Sequence, residues 1–150
     1  MSADVQHIAQ MPFFSRLRDD EQQKLAGICQ VEDHKAGEVL FREGDPPGDL
    51  YFVLEGRITL GIRTGGAESS VLSLGPGEMV GWSSLLRRPR VASGRVTQPA
   101  RLLRVSASDL LSLSEQDPAI GYALMSQAFE EVADRLQDTR LQLLDMYGKR

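Results

Sequence analysis

Arg90 is the side chain with the most chemistry to offer, and its neighbours say what kind. It lies in the stretch Gly75 to Val96, GPGEMVGWSSLLRRPRVASGRV. Gly-Pro-Gly opens that stretch with a turn signal, and Gly81 permits a positive φ or a close backbone approach. Trp82 to Leu86 is long enough for only a turn or two of helix before Pro89 stops it. The start of a short helix presents free backbone N–H groups and a partial positive charge, which favour an anion. A guanidinium a few residues downstream can form two parallel hydrogen bonds to a phosphate. Gly81, Trp82, Ser83, Ser84, Arg90, Val91 and Ala92 are therefore the residues of a candidate anion cradle. The plainer alternative is a strand–turn–strand corner with a solvated arginine, and spacing alone leaves both open.

Other chemistries find little support. His7 and His34 are the only histidines and stand far apart without a Cys or His partner at ligand spacing, so no metal site is expected. Cys29 is the single cysteine, which rules out an internal disulfide and suits a reducing compartment. There is no Ser/His/Asp or Cys/His set, no pair of acids on a shared helix face and no P-loop, so no catalytic residues are assigned and the chain does not read as an enzyme. Residues 87–104 hold six arginines and no acid. Arg87, Arg88, Arg101 and Arg104 read as solvated charges on strand faces and loops, while the side to which Arg95 points stays open. A net charge of −4 argues against general binding to nucleic acid or a membrane surface. MSADVQHIAQM carries Asp4 and no apolar core, so it does not read as a signal peptide. No stretch approaches the ~20 apolar residues of a membrane span, and a cytoplasmic location is expected.

The elements that must position the cradle follow from periodicity. At 150 residues the chain suits one domain, 1–150, with one core. Residues 1–30 read as short helices: Asp19 or Asp20 caps the second, Leu25 and Ile28 point to a core, and Pro12-Phe13-Phe14 is a packed corner. Residues 31–106 change to a period of two. Val39 and Phe41, Tyr51 and Val53, and Ile58, Leu60 and Ile62 alternate with neighbours of other character, between glycine-rich corners. Ser70, Leu72 and Leu74 fit no single face. Short strands at this spacing mean a sandwich, roll or barrel. Residues 107–148 read as helices. Ser106 and Asp109 resemble a capping box, and Asp117 caps a second helix with Pro118 at its first position and Gly148 at its end. In that last helix Tyr122, Met125, Phe129, Val132, Leu136, Thr139, Leu143 and Met146 are spaced alternately three and four apart, an a/d heptad. Ile120, Leu124 and Ala128 form a second stripe that can pack on the roll. A helix with two apolar faces has two things to bury against, and about 45 Å of helix outreaches a roll of this size.

These motifs resemble the cyclic nucleotide-binding domain of the bacterial cAMP-receptor and FNR regulator type. GE…G…LL…PRxA…V is similar to its phosphate-binding cassette. FFSRLRDDEQQKLAGIC resembles its N-terminal helices, and KAGEVLFREGDPPGDLYFVLEGRITL its first hairpins, in which Glu43 and Asp45 belong to a structural REGD motif. DPAIGYALMSQAFEEVADRLQDTRLQLL resembles its long C-helix. The resemblance implies a mainly β fold with flanking helices: a double-stranded β-helix (jelly roll, or β-roll) with N-terminal helices and a long C-terminal dimerisation helix. It also implies a homodimer through Tyr122, Met125, Phe129, Val132, Leu136, Leu143 and Met146. The implied ligand is a cyclic nucleotide or another phosphate-bearing molecule, with no resident cofactor. Two cassette positions depart from the family pattern. Trp82 stands where a Glu takes the ribose 2′-OH, and Val91 where a Ser or Thr adds a phosphate contact. Thr139 and Arg140 fall where the family's C-helix reaches the base, and Thr139 keeps the hydroxyl there.

The function implied is a stand-alone regulatory sensor that responds to a small anionic ligand and acts through an unidentified protein partner. The rivals are a ligand-free interaction module with a degenerate pocket, the sensor half of a truncated transcription regulator, and a cupin-like enzyme, which the lack of a histidine cluster disfavours. In the regulator branch a helix-turn-helix domain follows the C-helix. Here only Gly148, Lys149 and Arg150 remain, so direct DNA binding by this chain is not expected.

Overall fold

Two long strands carry the architecture in the computed structural model, which describes residues 1–148. The helices are α1 (Val5–Ala9), α2 (Asp19–Ile28), α3 (Ala107–Gln116) and α4 (Pro118–Gly148). The strands are β1 (Cys29–His34), β2 (Val39–Phe41), β3 (Asp49–Thr64), β4 (Ala67–Leu74), β5 (Met79–Val80) and β6 (Ser93–Ser106), with a 3₁₀ helix at Trp82–Leu86. Lys149 and Arg150 lie outside the described residues. The strands make one antiparallel sheet in the order β1-β6-β3-β4, with β2 added to β6 and β5 added to β3. The β3–β6 register slips between Glu55 and Arg57. There Gly56 has φ +93°, and a Cβ would lie 2.3 Å from the Pro99 carbonyl oxygen. A bulge built around glycine bends the long ribbon and curls the sheet into a jelly roll. At the far end Gly65 and Gly66 both have positive φ, as a two-residue type I′ hairpin requires.

The core has two parts because the ribbon is covered on both faces. Tyr51 and Val53 point into the roll with Phe41, Ile58, Leu74, Val80, Val96 and Leu102. Leu50, Phe52 and Leu54 point the other way, to Phe13, Phe14, Leu25, Leu110, Ile120 and Leu124 of the helical layer. A plain polar/apolar alternation therefore does not hold in the first half of β3, whose run Leu50 to Leu54 is buried throughout. Phe13 and Phe14 each meet Phe52 edge-on and are tilted to each other, with centroids 5.1–5.8 Å apart, so the Pro12-Phe13-Phe14 corner is a core anchor.

The second helix departs from expectation at its start. Arg18 occupies the N-cap position, and its backbone N–H donates to Glu21 Oε1 at 3.0 Å. Asp19 and Asp20 lie inside the first turn, where the helix dipole favours them as charges rather than as caps. Ser106 caps α3 by accepting from the Asp109 N–H. The Asp117 carboxylate takes Lys24 Nζ at 3.1 Å and ties α2 to the start of α4.

Candidate functional site

The cassette is built where β5 runs off the rim of the roll. Met79 and Val80 pair with Phe52 and Tyr51, and Gly81 then turns with φ +98°. A Cβ at Gly81 would sit 2.6 Å from Arg90 Nη1 and 3.2 Å from the Asp49 carbonyl oxygen, so only glycine fits. The five residues that follow form a single 3₁₀ segment, held by Ser84 N–H to Gly81 O at 3.1 Å and closed by Arg87 in the left-handed region. Ser83 and Ser84 are buried, and Ser84 Oγ accepts the Gly48 N–H at 3.0 Å. That hydroxyl supports the fold rather than facing a ligand.

Arg90 lies at the centre of the cassette and is 6% exposed. Its backbone is locked by paired bonds, Arg90 N–H to Asp45 O and Gly44 N–H to Arg90 O, both 2.8 Å. Its guanidinium turns inward. Nη2 donates to Asp49 O at 2.7 Å, Nη1 to Gly81 O at 3.4 Å, and the carbon at its centre lies 4.2 Å above the Phe41 ring. No carboxylate pairs with it among the described residues, and its Nε is buried without an acceptor. Burial pulls its pKa below the ordinary arginine value, against the attraction of Tyr51, Asp49 and Asp45. A buried cation held only by carbonyl dipoles and a π face is undercompensated.

The space beside it is small. Phe41, Leu60, Gly81, Trp82, Ser83, Val91 and Ala92 line a cavity of about 20 Å³, enough for one water or one oxygen of an anion. Trp82 lines this cavity and also packs against the helical layer of the core, so the indole bridges cassette and helices. Val91 is half exposed at the mouth and presents only methyl groups, and Ala92 is buried behind it. This cavity is smaller than the several hundred Å³ that small-molecule pockets occupy.

Sequence reasoning missed the contact that joins the cassette to the long helix. Glu131 and Arg135 of α4 clasp the backbone of Met79, two residues before Gly81. Met79 N–H donates to Glu131 Oε2 at 3.4 Å, and Arg135 Nη2 donates to Met79 O at 3.0 Å and to Glu131 Oε2 at 3.1 Å. The signal was present: Leu124, Ala128, Glu131 and Arg135 continue the roll-facing stripe at spacings of four, three and four. Desolvation pushes the Glu131 carboxyl up to about 7, with Arg135 pulling it down and Glu78 and Asp134 adding to the rise. A carboxyl whose pKa is raised on folding gives stability that is complete below its ordinary value of 4.5 and is lost as pH rises through about 7. Glu131→Gln should flatten the fall in melting temperature between pH 4.5 and 7; an unchanged pH profile would show that this carboxyl does not titrate there.

Arg135 makes the last hydrogen bond from α4 to the roll among the described residues. Thr139 lies one turn further on, and its hydroxyl donates back to Arg135 O at 2.8 Å; Arg140 is exposed. Within one chain neither is brought to the cassette. The heptad face stands away from the roll, with Tyr122 77% and Phe129 75% exposed and Met125, Val132, Leu136, Leu143 and Met146 also open to solvent. Ile120 and Leu124, on the second stripe, are fully buried against the helical layer. The remaining arginines sort by partner. Arg101 pairs with Asp33 at 2.9 Å, Arg104 with Glu32 at 2.8 Å and Asp49 at 3.0 Å, and Arg95 turns outward to Glu68. Cys29 is buried, and desolvation pushes its thiol up to about 12, so it is not a nucleophile. No cluster of metal-ligating side chains occurs among the described residues, and no helix there is long and apolar enough to cross a membrane.

Known proteins resemble this chain in sequence and fold. The family model of the cyclic nucleotide-binding domain matches residues 31–117. The cyclic AMP receptor protein of Thermus thermophilus is 32% identical over 135 residues, covering 88% of this chain and 60% of its own. The CRP-like cAMP-activated global transcriptional regulator of Mycobacterium tuberculosis is 29% identical over 119 residues, covering 78% of this chain and 51% of its own. The chain thus spans three-fifths and about half of these two relatives. Among solved structures, the N-terminal domain of a transcriptional regulator from Streptomyces coelicolor superposes with a TM-score of 0.67 at 31% identity, covering 93% of this chain and 95% of its own.

Proposed function

The chain belongs to the cyclic nucleotide-binding domain family, and from that premise we propose that it is a regulatory module whose cassette senses a small oxyanion and reports it to a protein partner through α4. The observation that carries this reading is Arg90, a cation 6% exposed, without an acid partner among the described residues, and with Nε unbonded there. An anion entering beside Gly81 supplies the missing negative charge and accepts from the fork. The guanidinium then exchanges carbonyl acceptors for the ligand, which releases Gly81 and Asp49. Because Met79 is clasped by Glu131 and Arg135, a shift of Gly81 reaches α4 through two peptide units. Two such helices pair along the heptad face in a parallel homodimer, which covers the apolar side chains that one chain leaves open. The small cavity of about 20 Å³ favours a second reading, a ligand-free interaction module that keeps the fold alone.

Thermal protection separates the two. A ligand of the native state at ten times its dissociation constant adds ~1.4 kcal/mol, which raises the melting temperature of a domain this size by about 3–6 °C. Phosphate or sulfate should protect the wild type in this way, and Arg90→Met, which keeps the bulk under Phe41 without the charge, should abolish the effect. Equal protection of both proteins places the anion elsewhere, and no protection of either favours the ligand-free module.

A further inference from the structure

The outer face of the sheet holds a second concentration of guanidinium groups that the cassette does not use. Residues paired across the ladder share a face. Leu60 pairs with Gly94, where a Cβ would lie 2.8 Å from the Phe41 ring inside the roll, so Thr59–Arg95 and Gly61–Ser93 face outward. Arg63 and Glu68, paired with each other on the β3–β4 hairpin, share that outward parity, and Arg42 follows inward-facing Phe41. Arg42, Arg63, Glu68, Ser93 and Arg95 line an open cleft of about 730 Å³ together with Glu43. Its walls are fixed by bonds between elements: Glu43 N–H donates to Ser93 Oγ and Arg63 N–H donates to Glu43 Oε1, both at 2.9 Å. The Glu43 carboxylate is thus held by a backbone amide. Glu68 meets Arg95 at 3.4 Å, while Arg42 and Arg63 have no carboxylate partner among the described residues. Guanidinium groups from β3, from β6 and from the residue after β2 therefore line one concavity with two carboxylates, of which Glu68 pairs with Arg95.

We infer that this cleft is a binding site, separate from the cassette, for a small ligand carrying two or more adjacent phosphate groups. Planar forks approaching from several directions match the oxygens of a polyphosphate. The volume falls in the range of small-molecule pockets and exceeds what one oxyanion fills. The partition between the two sites is the pair of loop segments that carries Arg90, since Gly44 at the cleft bonds the Arg90 carbonyl at 2.8 Å.

Calorimetric titration of inorganic tripolyphosphate into the intact protein tests this. Wild type should bind one equivalent per chain. Arg42→Gln with Arg63→Gln should weaken binding at least tenfold. Glu68→Gln, which frees Arg95, should tighten it two- to fivefold, a gain that damage to the fold cannot produce. Arg90→Met should bind as wild type does, which keeps this outcome independent of the cassette reading. Absence of saturable binding, equal affinity of the double variant and wild type, or loss of binding in Arg90→Met would overturn the assignment.

Discussion

Leu136→Asp should leave a monomer where the wild-type protein sediments as a dimer. Leu136 is an a position near the middle of the heptad, 51% exposed in the single chain. In a parallel pair it faces its own copy, so the substitution sets two carboxylates against each other in an apolar seam. An uncompensated buried charge costs about 3–5 kcal/mol. Two of them shift the dissociation constant by at least about four powers of ten. The single chain should keep its fold, because Leu136 lies beyond Arg135, where the hydrogen bonds from helix to roll end. Sedimentation equilibrium at micromolar concentration reads the association and circular dichroism reads the fold. A wild-type monomer, or a mutant that still dimerises, would refute the pairing.

Ordinary cAMP should bind with a dissociation constant above ~100 μM, and Trp82→Glu with Val91→Ser should improve it by about a hundredfold. A carboxylate accepting from the ribose 2′-OH contributes ~1.5–3 kcal/mol and a hydroxyl on the phosphate another ~1 kcal/mol. Together they amount to about two to three powers of ten in affinity. Trp82 adds a steric term, because its indole lines a cavity of only about 20 Å³. Replacing it restores both the acceptor and the space, though it also removes a contact with the helical layer and lowers stability somewhat. Isothermal titration measures all four combinations of the two positions. Low-micromolar binding to the unmodified protein would mean that the indole swings clear of the pocket.

The roll and the two-faced helix were legible because they rest on periodicity and glycine placement. The places where reading failed have local causes. Ser70, Leu72 and Leu74 fit no single face because the β3–β4 ladder slips between Leu60 and Gly61, pairing Leu72 and then Ser70 and skipping Val71. Nothing in the residue types marks which position a bulge omits. The run Leu50 to Leu54 is buried on both sides, and only the helices packed on it reveal that. For the cassette, type and spacing singled out Gly81 and Arg90 only as candidates, and the family resemblance favoured them. The inward direction of the Arg90 fork was not legible, because it is decided by Asp49 O, 41 residues away, and by the Phe41 ring. Side-chain direction depends on tertiary partners that a motif does not contain.

Under the proposed function, the clasp at Met79 would make α4 a lever. The grip at Glu131 and Arg135 is its fulcrum, and residues 136–148 are an arm about 20 Å long at 1.5 Å per residue. A tilt of about 10° at the fulcrum swings the tip by about 3.5 Å, well beyond the sub-ångström shifts that a small anion can cause at Gly81. The mechanical advantage comes from the length of helix past the grip. Shortening that arm should therefore reduce the output stroke in proportion while leaving the sensing end unchanged.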